Sequence, residues 1–302
     1  MKSVKIWLAL CMYLPLAAPA LAQSTFSTVT GTVADSSGAI VASATVVAEN
    51  INTGVKTTVN TNEAGIYLFP SLIPGRYRVM AEKEGFRRMA YSEVQLELSG
   101  RITLDFSLEI GHLTEQVVQV SAAVDTRLSL GASSVGGVLN DKRVQDLPLP
   151  GRNALDLIYT QGGLVGSNFN GARIGTLNIQ RDGVNVMDQR INSGVSSTIF
   201  NSVDLVEEVR VVTSPADAEF GRGSGQVQIL TRSGTNDFHG SVFEAHRNTA
   251  LNANNWFNNQ RGRGPDGREL SPRDVLIRNQ FGARLGGPIW KNRSFRFAAG
   301  GH

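Results

Sequence analysis

Apolar and polar residues alternate in short runs through most of this chain, and runs at helical spacing are few. Between Ser27 and Ile110 the alternation predicts strands at Val29–Val33, Ala44–Asn50, Val55–Val59, Gly65–Phe69, Gly75–Met80, Val94–Leu98 and Ile102–Leu108. Turn residues separate them at Asp35–Gly38, Asn52–Gly54, Leu72–Gly75 and Glu84–Phe86, the spacing of a seven-stranded β-sandwich. Leu113–Val120 reads as one more strand. A short helix follows at Asp141–Asp146, capped by Asn140 or Asp141 and interrupted by Leu147–Asn153, with Ala154–Thr160 resuming it. Asn178–Met187 reads as a hairpin about Asp182-Gly183. Val209, Val211 and Thr213 alternate with Arg210, Val212 and Ser214 until Pro215 ends the strand. Ala216–Phe220 reads as one helical turn, Gly221, Gly223 and Gly225 as a sharp turn, and Gln226–Thr231 as the return strand.

From Thr235 the pattern changes. Phe238–Ala245 and Gln280–Leu285 alternate between apolar and polar, with Phe281, Ala283 and Leu285 on one face and Gln280, Gly282 and Arg284 on the other. A third strand opens at Phe295 and Phe297 after the Trp290–Arg293 turn, and a long connection spans Arg247–Arg278. Dyad alternation with one short turn and one long loop is the mark of a transmembrane β-barrel, apolar to lipid and polar to lumen. Large barrels of this kind take about 22 strands, each of about 9–11 residues, and only about three fit before His302. The sequence is therefore expected to be a fragment, a truncated product or an incomplete gene model. The expected fold class is mainly β: a seven-stranded sandwich, an α+β domain, and the first strands of an incomplete barrel.

Composition sharpens this. Hydrophobic content is 41% and charged content 18%, enough for real cores. The 32 glycines favour a chain of tight turns. Lys2 and Lys5, the apolar Ile6–Leu16 and the small-residue Ala20-Leu21-Ala22 form a secretory leader, with cleavage expected between Ala22 and Gln23. Without Lys2 and Lys5 the count is 27 basic against 26 acidic side chains, so the pI of about 9.2 does not point to nucleic acid. The Arg261–Gly264 run lacks aromatic interleaving and a second basic cluster, so no nucleic-acid partner is expected. The single cysteine, Cys11, lies in the leader, which leaves the exported chain without disulfides or cysteine metal sites.

Catalytic motifs are missing. There is no G-x-S-x-G and no phosphate-binding G-x-x-x-x-G-K-[ST] run. His112, His239, His246 and His302 lack metal spacing, and Glu207 and Glu208, being adjacent, read as solvating a helix end. No enzyme activity, cofactor or metal is expected.

Two groups of residues carry a resemblance. Gly31, Val33, Asp35, Gly38, Thr61, Gly65, Tyr67, Phe69, Leu72, Pro74, Gly75, Tyr77, Gly85 and Phe86 follow the pattern of carboxypeptidase-regulatory-like domains, a structural appendage and not a peptidase site. Glu208, Val209, Val211, Pro215, Ala216, Ala218, Phe220 and Gly221, with Gly223 and Gly225, resemble the end of the plug domain of TonB-dependent outer-membrane receptors. The combination resembles the Oar-like receptors. The resemblance implies a leader (1–22), sandwich (23–111), TonB-box-like linker (112–121), plug (122–234) and barrel start (235–302). In such receptors a "T-x-x-V-x-V" box is read by strand addition, and here Thr114, Val117, Val118 and Val120 fit it. The Gly/Ser/Asn-rich stretches Gly162–Gly175 and Gln189–Thr198 are expected to be plug loops facing substrate. The implied partners are a TonB-type energy-coupling protein, outer-membrane lipid, and a small-molecule, glycan or peptide substrate. The implied location is the outer membrane with the N-terminal domains in the periplasm. A different class stays open: a periplasmic or cell-surface module that binds carbohydrate or protein and transports nothing. A third is an accessory domain to an enzyme encoded elsewhere.

Overall fold

The computed structural model describes residues 26–111, 118–120, 135–166, 168–173, 175–188, 190, 195–214 and 223–301. The leader, with Ala22 and Gln23, and the helical turn expected at Ala216–Phe220 lie outside them. The chain divides into two compact units. One runs to Glu49 and from Lys56 to Thr231; the other joins Asn50–Val55 to Arg232–His302.

The first unit opens with β1 (Ser27–Asp35), β2 (Thr45–Asn50), β3 (Lys56–Asn60), β4 (Ile66–Leu72), β5 (Gly75–Glu82), β6 (Met89–Leu96), β7 (Arg101–Thr103) and β8 (Phe106–Leu108). One sheet is ordered β4-β1-β7, with β8 also on β1. The other is ordered β3-β2-β5-β6 and gains β9 (Val118–Val120) at its end. Their inward side chains fill one core: Val29 and Val33 of β1, Tyr67 and Phe69 of β4, and Phe106 of β8 meet Val46, Val79 and Leu96 of the opposite sheet. Tyr67 stacks edge-on against Phe69 at 5.8 Å and tilts over Phe106 at 5.9 Å, the offset geometries aromatic quadrupoles favour. Burial pushes its phenol well above the ordinary range, so it stays a neutral donor.

There are eight strands here where seven were expected, because the Ile102–Leu108 run breaks in two. Both halves pair in parallel with β1, β7 at Thr28–Thr30 and β8 at Val33–Asp35. At the break the Asp105 carboxylate takes the backbone N–H and the hydroxyl of Thr32, each at 2.8 Å, in place of a ladder bond. The Leu104 carbonyl accepts the Tyr67 hydroxyl at 2.7 Å. Gly31 lies beneath that carbonyl, and a Cβ there would stand 1.8 Å from the Leu104 oxygen.

The same unit continues with β10 (Val135–Leu139), helix α1 (Asp141–Asp146) and a 3-10 helix at Ala154–Thr160. Then come β11 (Leu164–Val165), β12 (Asn168–Phe169), β13 (Leu177–Arg181), β14 (Val184–Asn185), β15 (Val206–Ser214) and β16 (Gly225–Thr231). Asn140 caps α1 by accepting the Arg143 N–H, and Asn153 caps the 3-10 helix through Leu155. The sheet order is β10-β15-β16-β13-β14, with β13 parallel to β16 and the other pairs antiparallel. Val209, Val211, Val227 and Ile229 share a core with Val144 of α1 and Leu155, Leu157 and Ile158 of the 3-10 helix. The stretch Gly162–Gly175, expected to be a plug loop facing substrate, contains the β11–β12 hairpin and buries Phe169 in that core.

The second unit is an antiparallel sheet of β17 (His239–Asn248), β18 (Ile277–Trp290) and β19 (Ser294–Gly301). Phe281, Ala283 and Leu285 share one face as read, with Val242 opposite Ala283 and Ala298 opposite Leu285, but Glu244 stands opposite Phe281 and Arg296 opposite Gly287 on that same face. The β17–β18 connection holds a 3-10 turn at Thr249–Leu251 and helix α2 (Trp256–Gln260). No helix among the described residues is long and apolar enough to cross a membrane, which says nothing of strands.

Replacing Gly31 by Ala should lower the stability of the sandwich by at least about 2 kcal/mol, because backbone rather than a flexible side chain must give way. Thermal unfolding of the full chain, followed by near-UV circular dichroism, reads this out. An unchanged midpoint would contradict the packing described at Leu104.

Candidate partner-binding site and plug sheet

Of the residues expected to form the partner-binding box, the structure places two. Val118 and Val120 lie in β9, parallel to β6, in the register Met89–Val118, Ala90–Gln119 and Tyr91–Val120. Thr114 and Val117 lie outside the described residues. β9 ends the strand order of its sheet: one edge pairs with β6, and the other has no strand on it among the described residues. A terminal strand presents a row of backbone donors and acceptors to any extended chain that can align with it.

The expected plug segment is organised by its two long central strands. β15 and β16 are buried for most of their length; β13 pairs in parallel with β16 and reverses at Asp182-Gly183 into β14. Both turn residues have positive φ, 50° and 80°, as a two-residue hairpin with a matching twist requires. The Asp182 carboxylate then crosses to β16, accepting the Thr231 N–H at 2.9 Å and its hydroxyl at 2.8 Å. The turn therefore fixes the register of three strands.

The two faces of this sheet differ in chemistry. Val209, Val211, Val227 and Ile229 point to the apolar core. The alternate positions Glu208, Arg210 and Val212 of β15 stand opposite Leu230, Gln228 and Gln226 of β16. Gln226 and Gln228 are buried, at 1% and 5% exposure, and Glu208 at 7%. Glu208 accepts the backbone N–H of Leu98 at 2.8 Å. Arg210, two residues on, donates to the Leu98 carbonyl. Leu98 itself is fully buried. Burial pushes the Glu208 carboxyl up to about 7; Glu97 and Glu207 push the same way, while the Leu98 N–H and Arg210 oppose.

This corrects the expectation for Glu207 and Glu208. They do not solvate a helix end. β15 starts at Val206, three residues before the expected Val209, so both carboxylates lie inside a strand and Glu208 faces inward. The available signal was the period-two series Glu208, Arg210, Val212 inside a β-branched run, which puts two opposite charges on one buried face.

Among the described residues, no group of three His, Cys, Asp or Glu side chains could hold a metal ion. A polar cleft of about 240 Å³ lies in the β17–β18 connection, between Asn254, Asn258, Arg263, Glu269 and Ser271.

Comparison with known proteins bears on both ends of the chain. Residues 28–109 match the carboxypeptidase regulatory-like domain, and residues 230–301 match an outer membrane beta barrel domain. Over 294 residues, 92% of the chain, it is 30% identical to the TonB-dependent transporter Oar of Myxococcus xanthus. It spans only 27% of that protein's length. The siderophore receptor PirA of Acinetobacter baumannii aligns over 56% of the chain and 24% of its own, at 20% identity and a TM-score of 0.39. A putative carbohydrate binding protein from Bacteroides uniformis aligns over 28% of the chain and 42% of its own, at 16% identity and 0.25. Both structural likenesses are too low to argue from. The sequence match alone carries the expected resemblance, and its relative is a transporter rather than an enzyme.

Asp182→Ala should cost the central sheet about 1–2 kcal/mol, through lost acceptors for Thr231 and a Cβ in the left-handed region without a polar side chain to favour it. Asp182→Gly should recover part of the loss by relieving the backbone alone. Denaturant titration of the full chain measures both, and equal stability of the three forms would contradict the bracing role.

Proposed function

We propose that this chain, Oar-like across nearly its whole length, is the plug-bearing part of a TonB-dependent outer-membrane transporter. The observation that carries the reading is the 30% identity to Oar over 92% of the chain, together with the sandwich match at residues 28–109 and the outer membrane barrel match at residues 230–301. In this reading residues 1–22 export the chain and are removed between Ala22 and Gln23. Residues 23–111 form the periplasmic sandwich, 112–121 the partner-binding linker, 122–234 the plug, and 235–302 the start of the barrel. Thr114, Val117, Val118 and Val120 meet an extended strand of a TonB-type energy-coupling protein. Support for that site comes from the position of β9 at the end of its sheet, where backbone groups remain available for strand addition. The alternating faces of β17, β18 and β19 suit lipid on the Val242, Phe281, Ala283 and Leu285 side. The substrate is a small molecule, a glycan or a peptide.

The rival reading is a soluble module that binds carbohydrate or protein. Fractionation separates the two: the native product should sediment with outer membranes and require detergent for extraction. Recovery in the soluble periplasmic fraction would favour the rival. Val118→Pro removes one backbone donor and should weaken binding to the purified C-terminal domain of the coupling protein at least about tenfold, as read by isothermal titration. Undiminished binding would remove β9 from the contact.

A further inference from the structure

The proposed transport reading makes no use of the most unusual buried group in the first unit, Glu208. Its surroundings are specific. A carboxylate and a guanidinium, two positions apart on one face of β15, take the backbone N–H and the backbone C=O of the same residue, Leu98. Leu98 lies 110 residues earlier, between the end of β6 and the start of β7, and belongs to the sandwich side of the chain. Two side chains thus do what a neighbouring strand would do for one residue: they satisfy both of its main-chain hydrogen-bonding groups. Bonds of this kind, with an ionisable partner on one side, are the strong ones.

We propose that Glu208 and Arg210 form a protonation-controlled latch that holds the sandwich to the central sheet through the backbone of Leu98. Arg210 is charged throughout the accessible pH range and supplies the constant half of the latch. Glu208 supplies the variable half. The charged groups acting on it are Glu97 from the sandwich side and Glu207 and Arg210 on its own strand. Its cross-strand neighbour on β16, Leu230, is apolar. Two carboxylates therefore act against one guanidinium, in a place that excludes water. When latched, the Glu208 carboxyl titrates at about 7, against an ordinary 4.5. Released into water it returns towards its ordinary value. The latched form therefore holds its proton more tightly than the released form. Latching is strongest below the released pKa, weakens as pH rises from about 4.5 to about 7, and levels off above that. The latching equilibrium should change on the order of a hundredfold across that window. A protonated Glu208 still accepts the Leu98 N–H through its carbonyl oxygen, so the hydrogen bond survives while the unfavourable charge is removed.

Hydrogen exchange with mass-spectrometric readout on the full chain tests this, with rates normalised at each pH to the intrinsic exchange rate. In the wild type, peptides covering Leu96–Gly100 and Val206–Val212 should lose protection between pH 5 and pH 7.5, while a core peptide covering Tyr67–Phe69 stays protected. Glu208→Gln keeps the acceptor oxygen and removes the charge, and should flatten the pH profile at the protected level. Arg210→Met should leave Leu96–Gly100 less protected at every pH, with the Tyr67–Phe69 peptide as the control for folding. A wild-type profile without pH dependence would overturn the proposal, as would a Glu208→Gln profile like that of the wild type. Equal protection of Leu96–Gly100 with and without Arg210 would overturn it as well.

Discussion

The antiparallel pairing of β15 with β16 is the constraint on which the first unit depends. A strand pair buried for most of its length must place its side chains into two different environments, because successive residues point to opposite faces. Val209, Val211, Val227 and Ile229 satisfy one environment by packing beneath α1 and the 3-10 helix. The other face takes Glu208, Gln226 and Gln228 out of water, with Arg210 half-buried beside them. For Glu208 and Arg210 the partner is the main chain at Leu98. The attachment of the sandwich is therefore a consequence of how the central sheet alternates.

That arrangement gives the proposed transporter a mechanical outline. In sequence, the proposed partner-binding linker falls between the sandwich and the central sheet, which are joined through Leu98. Force applied at β9 would act on the β6 edge, where three residue pairs hold the strand. Among the described residues that pairing has three register positions, whereas the core behind it holds the interlocked rings of Tyr67, Phe69 and Phe106. Rearrangement under load would begin at that edge, and the sandwich core would hold.

Much of this was legible in the residues. Period-two runs located the sandwich strands, the Asp182-Gly183 hairpin and the faces of β17, β18 and β19, because alternation records directly which face is buried. Asn140 marked the start of α1 through capping chemistry. Three features were not legible, each for a physical reason. The split of Ile102–Leu108 depends on the Asp105 carboxylate replacing a ladder bond to Thr32, a contact made 73 residues away. The Gly162–Gly175 stretch carries loop composition but gains a hairpin because Phe169 is drawn into the core. Glu208 reads as a surface residue by type, and only the position of Leu98, 110 residues earlier, makes its burial tolerable. Of the expected box, Val118 and Val120 are placed on a sheet edge by strand pairing, whereas their role rests on the resemblance and on the proposal above.

The most direct test of the transporter account is an in-cell photo-cross-linking scan, placing a photoreactive amino acid singly at each position from 113 to 120 in the native gene. Strand addition predicts cross-links to the TonB-type protein that alternate along the segment, strong at one set of every-other positions and weak at the other. Cross-links that are absent at all eight positions, or equally strong at all of them, would contradict it.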